Sequence, residues 1–208
     1  TDNADTDDER LDHLREMALL AEQMLDETEQ AIELWEEILQ IAYQDLDAVR
    51  NVQRLQRNEE NHEAVAEALE REQRVLGTSD PARSVEIYRE AGRLWGGVLE
   101  DNLQAQEAWS KLLEIEARDV EAMRALAAIN EEESNWDALA QILEKMVASE
   151  QFEGDELQGL FERLASLYTD DLPDPDKAIA SWEQVRILEP SALAPVEALE
   201  TLFTDEGR

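Results

Sequence analysis

Ala105-Gln106-Glu107-Ala108-Trp109-Ser110-Lys111-Leu112 recurs in outline at two other places in the 208-residue chain. The copies are Ala31-Ile32-Glu33-Leu34-Trp35-Glu36-Glu37-Ile38 and Ala178-Ile179-Ala180-Ser181-Trp182-Glu183-Gln184-Val185. The three tryptophans stand 74 and 73 residues apart. In each copy a small residue, a tryptophan and an aliphatic residue fall at i, i+4 and i+7, which is one face of a helix. The spacing makes these aromatics core packing rather than a stacking surface for sugars or bases.

The same offset carries Leu14 to Tyr88 and Phe161, Leu20 to Leu94 and Leu167, and Val49 to Met123 and Val196. A smaller repeat lies inside the large one, because Ala64-x-x-x-Ala68-Leu69 and Ala138-x-x-x-Ile142-Leu143 reproduce the alanine-led helix half a unit later. Alanines 31, 64, 105, 138 and 178 are therefore spaced 33, 41, 33 and 40. Fixed periods of this length indicate stacked helix hairpins, none of which buries its apolar face alone.

Composition agrees with helices. Glycine (7) and proline (5) are scarce in a chain that is 43% apolar, and turn-rich sheets need both. Asp or Asn before an apolar-periodic run offers an oxygen to the first free amides of a helix. Asp45, Asn61, Asp80 with Pro81, Asn102, Asp119, Asn135 and Asp174 with Pro175 are the expected starts. They place helices at about 8–27, 29–43, 46–59, 62–76, 81–100, 103–117, 120–133, 136–150, 154–170, 175–188 and 192–204. The expected organisation is an acidic segment over 1–7 and a single array over 8–208, with units at about 8–76, 80–152 and 154–208, the last incomplete. Mapped back by 73, Glu206-Gly207-Arg208 falls on Glu133-Ser134-Asn135. The expectation is thus a continuation of the array, covalent or through neighbouring copies, since non-closing head-to-tail contacts make filaments.

Charge excludes several classes of function. With 18 basic against 52 acidic side chains the formal charge is −34, which repels nucleic-acid phosphates and anionic lipid and attracts cations and basic partners. Three lysines stand against fifteen arginines, a balance also found in salt-adapted proteins. Cysteine is absent, so disulfides and thiolate metal sites are excluded and the redox compartment stays open. No apolar run approaches the roughly 18 residues of a membrane span. No signal peptide is visible either, although the chain starts at Thr1.

No Gly-rich phosphate loop, Gly-x-Ser-x-Gly elbow or His-Glu-x-x-His motif is present, so no cofactor and no catalytic residue is expected. His13 and His62 lie far apart on polar stretches and read as surface residues. The four carboxylates of Asp170-Asp171-Leu172-Pro173-Asp174-Pro175-Asp176 lack the spacing of an EF-hand, and Asp174 and Asp176 suit the start of the following helix.

Tyr88-x-x-Ala91-Gly92-x-x-Trp95 followed by Ala105-x-x-x-Trp109 places a large, a small and an aromatic residue on one helix against an alanine and an aromatic on the next. Phe161-x-x-Leu164-Ala165-x-x-Tyr168, Ala178-x-x-x-Trp182 and Pro190 repeat the arrangement. The hairpins led by Val49 and Met123 keep the period without the aromatics. This pattern resembles the tetratricopeptide repeat (TPR) family in the form of a long bacterial array, and the resemblance covers nearly the whole chain. It implies an all-α, right-handed α-solenoid of about 11 helices that binds protein or peptide and carries no catalytic residue; contact with other copies of itself is the expectation from the unfinished last unit.

In TPR arrays the first helix of each hairpin lines a concave groove, and the residue after its leading large residue points inward. The resemblance therefore places Arg15, Arg50, Arg89, Arg124, Glu162 and Glu197 there, with Arg54, Arg57 and Arg93 one turn on. Two readings follow. The arginines grip a carboxylate-bearing segment, since a guanidinium fork matches a carboxylate, or they pair with glutamates of adjacent helices. The family's carboxylate clamp mixes lysine with asparagine, and no asparagine is placed for it here.

Overall fold

The computed structural model describes residues 2–25 and 27–205, with the side chains of 2–6, 24, 25 and 205 left aside; the mapping of Glu206-Gly207-Arg208 lies outside them. Every regular element among the described residues is helical. In order these are α1 (Asp2–Leu20), α2 (Thr28–Ile41), α3 (Leu46–Asn58), α4 (His62–Leu76), α5 (Pro81–Arg93), α6 (Asn102–Ile115), α7 (Val120–Glu132), α8 (Trp136–Ala148), α9 (Gly154–Asp170), α10 (Pro175–Leu188) and α11 (Ala194–Asp205). No helix among the described residues is long and apolar enough to cross a membrane.

Most helix starts follow from a carboxylate or amide oxygen on the first free N–H groups. Asp45 accepts from Ala48 N, Asn61 from Ala64 N, Asp80 from Arg83 N, Asp119 from Ala122 N and Asp174 from Lys177 N. Two expectations are corrected. The cap of α6 is Asp101, whose carboxylate accepts from Gln104 N at 3.0 Å, and Asn102 is the first helical residue. Asn135 precedes α8 without a side-chain cap bond. In addition, α1 begins at Asp2, inside the stretch expected to precede the first helix; acidic residues at a helix N-terminus are favoured by its dipole.

The ends of α1 and α5 also differ from expectation. Each passes into a five-residue π-helical segment, Ala21–Leu25 and Leu94–Val98. Wide backbone bonds spanning six residues close these two helix ends and recur at the repeat offset at the end of α9, which has no π segment. Glu27 N donates to Ala21 O, Asp101 N to Trp95 O, and Asp174 N to Tyr168 O. The turns recur too: Glu60 and Ser134 have φ of 56° and 55°, while Gly77 and Glu150 have 57° and 59°. Gly96 lies in the second π segment because a Cβ there would stand 3.2 Å from the Ala105 Cβ of α6.

The chain forms two compact units, one up to Ala108 and one from Trp109, so the division falls within α6 rather than in a linker. In the first unit α1 packs on α2, α2 on α3, α3 on α4, and α4 on α5. Trp35, at 3% exposure, and Ile38 join Leu14, Ala18, Val49, Val52 and Leu55 in its main core. Val65, Leu69, Ile87, Ala91 and Ala108 form a second cluster with Leu94 and Trp95 against it. In the second unit α7 packs on α8, α8 on α9, α9 on α10, and α10 on α11. Its buried residues include Met123, Leu126, Leu143, Leu164, Ala165, Tyr168, Ala178 and Val185. Trp109 is buried, whereas Trp182 is half-buried. Small residues at 18, 92, 127 and 165 are all buried where helices approach, and that close approach is what the motif encodes.

Candidate functional site

The arginines expected on the inner helix faces are largely consumed by carboxylates. In the first unit, Arg15 of α1 donates to Asp45 at 2.7 Å, which is also the cap of α3. Arg54 of α3 grips Glu22 through two bonds of 2.7 Å, and Arg57 donates to Glu90 of α5 at 2.5 Å. Arg50 and Arg83 both donate to Glu72 of α4, at 2.9 Å from Arg50 and 2.8 Å from Arg83. In the second unit, Arg124 of α7 pairs with Glu156 of α9 and lies 5.6 Å over the Phe152 ring. Arg89 is half-buried, Arg93 is exposed, and neither is without a partner. Glu197 is exposed on α11.

Glu72 is the most unusual of these groups, because it is fully buried. Burial pushes its carboxyl up, but the bonds from Arg83 and Arg50 outweigh that and hold it below the ordinary carboxylate range. The Arg83 guanidinium is correspondingly held in its charged form, chiefly by the bond to Glu72. Arg54 holds the Glu22 carboxyl low in the same way, against a smaller effect of burial. Each ion gives up water to form such a pair, which offsets much of the attraction between them.

The repeat offset shows how the two units solve the same place differently. Arg57 and Glu90 correspond to Glu131 and Arg163, which pair at 2.7 Å with the charges exchanged. Arg50, Glu72 and Arg83 correspond to Arg124, Met146 and Glu156. Where the first unit needs a buried acid between two arginines, the second has turned one arginine into the acid and made the buried position apolar.

A groove of about 830 Å³ runs between α7 and α9 over α8. The ion pairs Arg124–Glu156 and Arg163–Glu131 each span it from α7 to α9. The two pairs are seven residues apart on both helices, about 10 Å at 1.5 Å per residue. Between them the floor is Ala127, Ala128, Gly159 and Leu160, with the half-buried Trp136 at one side. Asp155, Glu162 and Asp171 also line it. Of the residues expected to face inward, Arg124 and Glu162 are therefore brought together here.

The floor was not anticipated, although the offset carries the signal. Ala128 corresponds to Arg54, and Gly159 to Glu86. In the first unit those two positions hold long side chains, one paired with Glu22 and the other with Arg83. In the second they are reduced to a methyl group and a hydrogen, and the space is left open.

Other candidates resolve into structure. The Asp174 carboxylate of the acidic loop caps α10, and no group of three or more His, Asp or Glu side chains that could hold a metal occurs among the described residues. His13 is exposed and His62, the first residue of α4, is half-buried. Tyr168 donates to Glu144 at 2.6 Å, and Lys177 bonds both groups while lying 4.7 Å over the tyrosine ring. The bonds to Tyr168 and Glu144 hold the Lys177 ammonium charged, so the cluster ties α8, α9 and α10 together and offers no free base.

No family model and no curated protein matches the sequence. Solved structures do. The structure of Naa15/Naa10 bound to HypK-THB matches over 92% of this chain at 18% identity, with a TM-score of 0.59; this chain spans 28% of that one. YrrB, described as a TPR protein with an unusual peptide-binding site, matches over 88% of both chains at 15% identity with a TM-score of 0.46. Pseudomonas aeruginosa pilF matches over 94% of this chain and 82% of that one, at 16% identity and a TM-score of 0.43. Its antiparallel hairpins, their small-residue contacts and their recurrence every 74 or 73 residues give the chain a TPR-like helical-repeat fold.

Proposed function

We propose that the chain is a non-catalytic scaffold for protein–protein contact, a single TPR-like array that stacks further repeats onto its helical end. The array register of 74 and 73 residues runs through both compact units. The observation that carries the stacking is Val196 of α11. It corresponds to Val49 and Met123, each 0% exposed beneath the next helix, yet it is 39% exposed itself. Leu193, Ile187 and Leu188 beside it in sequence are 74%, 65% and 41% exposed. Exposed apolar side chains of this kind, at the end of α10, in the turn after it and on α11, take another amphipathic helix, whether from the same array or from a second copy.

Light scattering of the 208-residue polypeptide over a range of concentrations tests the reading. Mass should rise with concentration above 23.7 kDa, and Leu193→Glu with Val196→Glu should return it to the monomer. A monomer at every concentration tried would count against stacking. The second reading, an acidic segment held by the inner arginines, would need the pairs to Asp45, Glu72, Glu22, Glu90 and Glu156 to open, and each opened pair would cost part of the binding energy.

A further inference from the structure

The α7–α9 groove has a charge opposite to the one an arginine-lined face would lead one to expect. Its two guanidinium groups, Arg124 and Arg163, are each committed to a carboxylate of the facing helix. Asp155, Glu162 and Asp171 line the same groove and form no ion pair among the described residues, Glu162 accepting only from the neutral Gln158 amide at 2.9 Å. Five carboxylates against two guanidiniums leave the lining at −3.

Shape points the same way. Between the two ion pairs the floor presents Ala128 and Gly159, where the first unit places Arg54 and Glu86. The truncation opens an apolar window about two helical turns long, closed at each end by a charged pair. An acidic segment would meet three unneutralised carboxylates and find no uncommitted arginine. A cationic segment meets complementary charge on entry and can rest one large apolar side chain on the alanine and glycine floor.

We infer that the α7–α9 groove is a docking site for a basic amphipathic peptide segment, one that inserts an apolar side chain between the two ion pairs and sets lysine or arginine against Asp155, Glu162 and Asp171. The inference rests on the scaffold reading and adds the partner's chemistry. The stacking face lies on α10 and α11, so failure of self-association in light scattering leaves the groove untouched, and loss of groove binding leaves stacking untouched.

Gly159 gives a clean test. A Cβ at this position meets nothing within 4 Å, and replacing glycine inside a helix favours the helix. Gly159→Trp therefore fills the window without disturbing the packing beneath. The probe is a fluorescein-labelled peptide with one leucine-bearing face flanked by arginines. Its comparators are a scrambled peptide of the same composition and an analogue with glutamate for arginine. Fluorescence anisotropy with the full chain should give saturable binding of the first peptide, with both comparators at least about tenfold weaker. Gly159→Trp should lose about tenfold or more, as should Glu162→Lys combined with Asp171→Lys. The same charge change at the exposed Glu67 and Glu70 of α4 should leave affinity unchanged. Equal binding of the scrambled peptide, unchanged affinity in Gly159→Trp, an equal loss from the α4 variant, or tighter binding of the glutamate analogue would each overturn the inference. If Gly159→Trp failed to fold by circular dichroism, the paired charge variants would still decide it.

Discussion

Glu72 shows how much a single side chain can be made to carry in a repeat. It is buried, it accepts from two arginines on either side, and its carboxyl is held below the ordinary 4.5. Replacing it with methionine alone leaves Arg50 and Arg83 facing each other and should destabilise the chain by about 2–3 kcal/mol in urea unfolding. The second unit supplies the remedy: with Arg83→Glu added, the first unit copies Arg124, Met146 and Glu156, and stability should return most of the way. Failure of the double variant to improve on Glu72→Met would mean that the two units are not interchangeable at this place. The proton balance has a definite sign. A carboxyl whose folded value is depressed contributes above its unfolded pKa and loses that contribution as pH falls through the folded one. Acid unfolding of the wild type should therefore be steeper below pH 4.5 than that of the rescued double variant, as read by circular dichroism during titration.

At the level of helices and turns, the repeat makes each element a control for its counterpart. Glu150 holds a left-handed φ of 59° where the corresponding turn has Gly77 at 57°. Glu150→Gly should raise stability by about 0.5–1 kcal/mol, because glycine adopts that conformation without a Cβ penalty. Gly96 and Gly97 form a second contrast. Gly96→Val drives a branched side chain towards Ala105 and should lower the melting temperature, while Gly97→Ala, with nothing within 4 Å of its Cβ, should leave it unchanged or raise it. Helix positions were legible because capping and a 3.6-residue period are local signals: Asp45, Asp80 and Asp174 stand where the structure uses them. The π-helical ends of α1 and α5 were not, since Ala21–Leu25 and Leu94–Val98 keep a helical apolar pattern and differ only in backbone bonding. The open floor of the groove was hidden for another reason. Ala128 and Gly159 carry no chemistry of their own and become informative only against Arg54 and Glu86 at the repeat offset. The arginines misdirect in the opposite sense, because type and spacing reveal a charged face but not whether its charges are already matched.

Across the whole molecule the balance of charge dominates. With −34 on 208 residues, and with so many of the cations engaged in pairs of 3.1 Å or less, repulsion among the remaining carboxylates opposes folding. Monovalent salt shortens the range of that repulsion to about 8–10 Å at 0.1–0.15 M. Calorimetry should accordingly show the melting temperature rising as sodium chloride is added; a fall would mean that the ion pairs outweigh the repulsion. The exchanged pair Arg57–Glu90 and Glu131–Arg163 bears on a different hazard. Near-copies within one polypeptide invite the wrong partners to meet while the chain is still collapsing. Were α3 to settle against α9, Arg57 would face Arg163, and α7 against α5 would set Glu131 facing Glu90. Each helix thus carries a sign that admits its own neighbour and turns away the neighbour's double, much as keyed connectors prevent identical cables from being crossed.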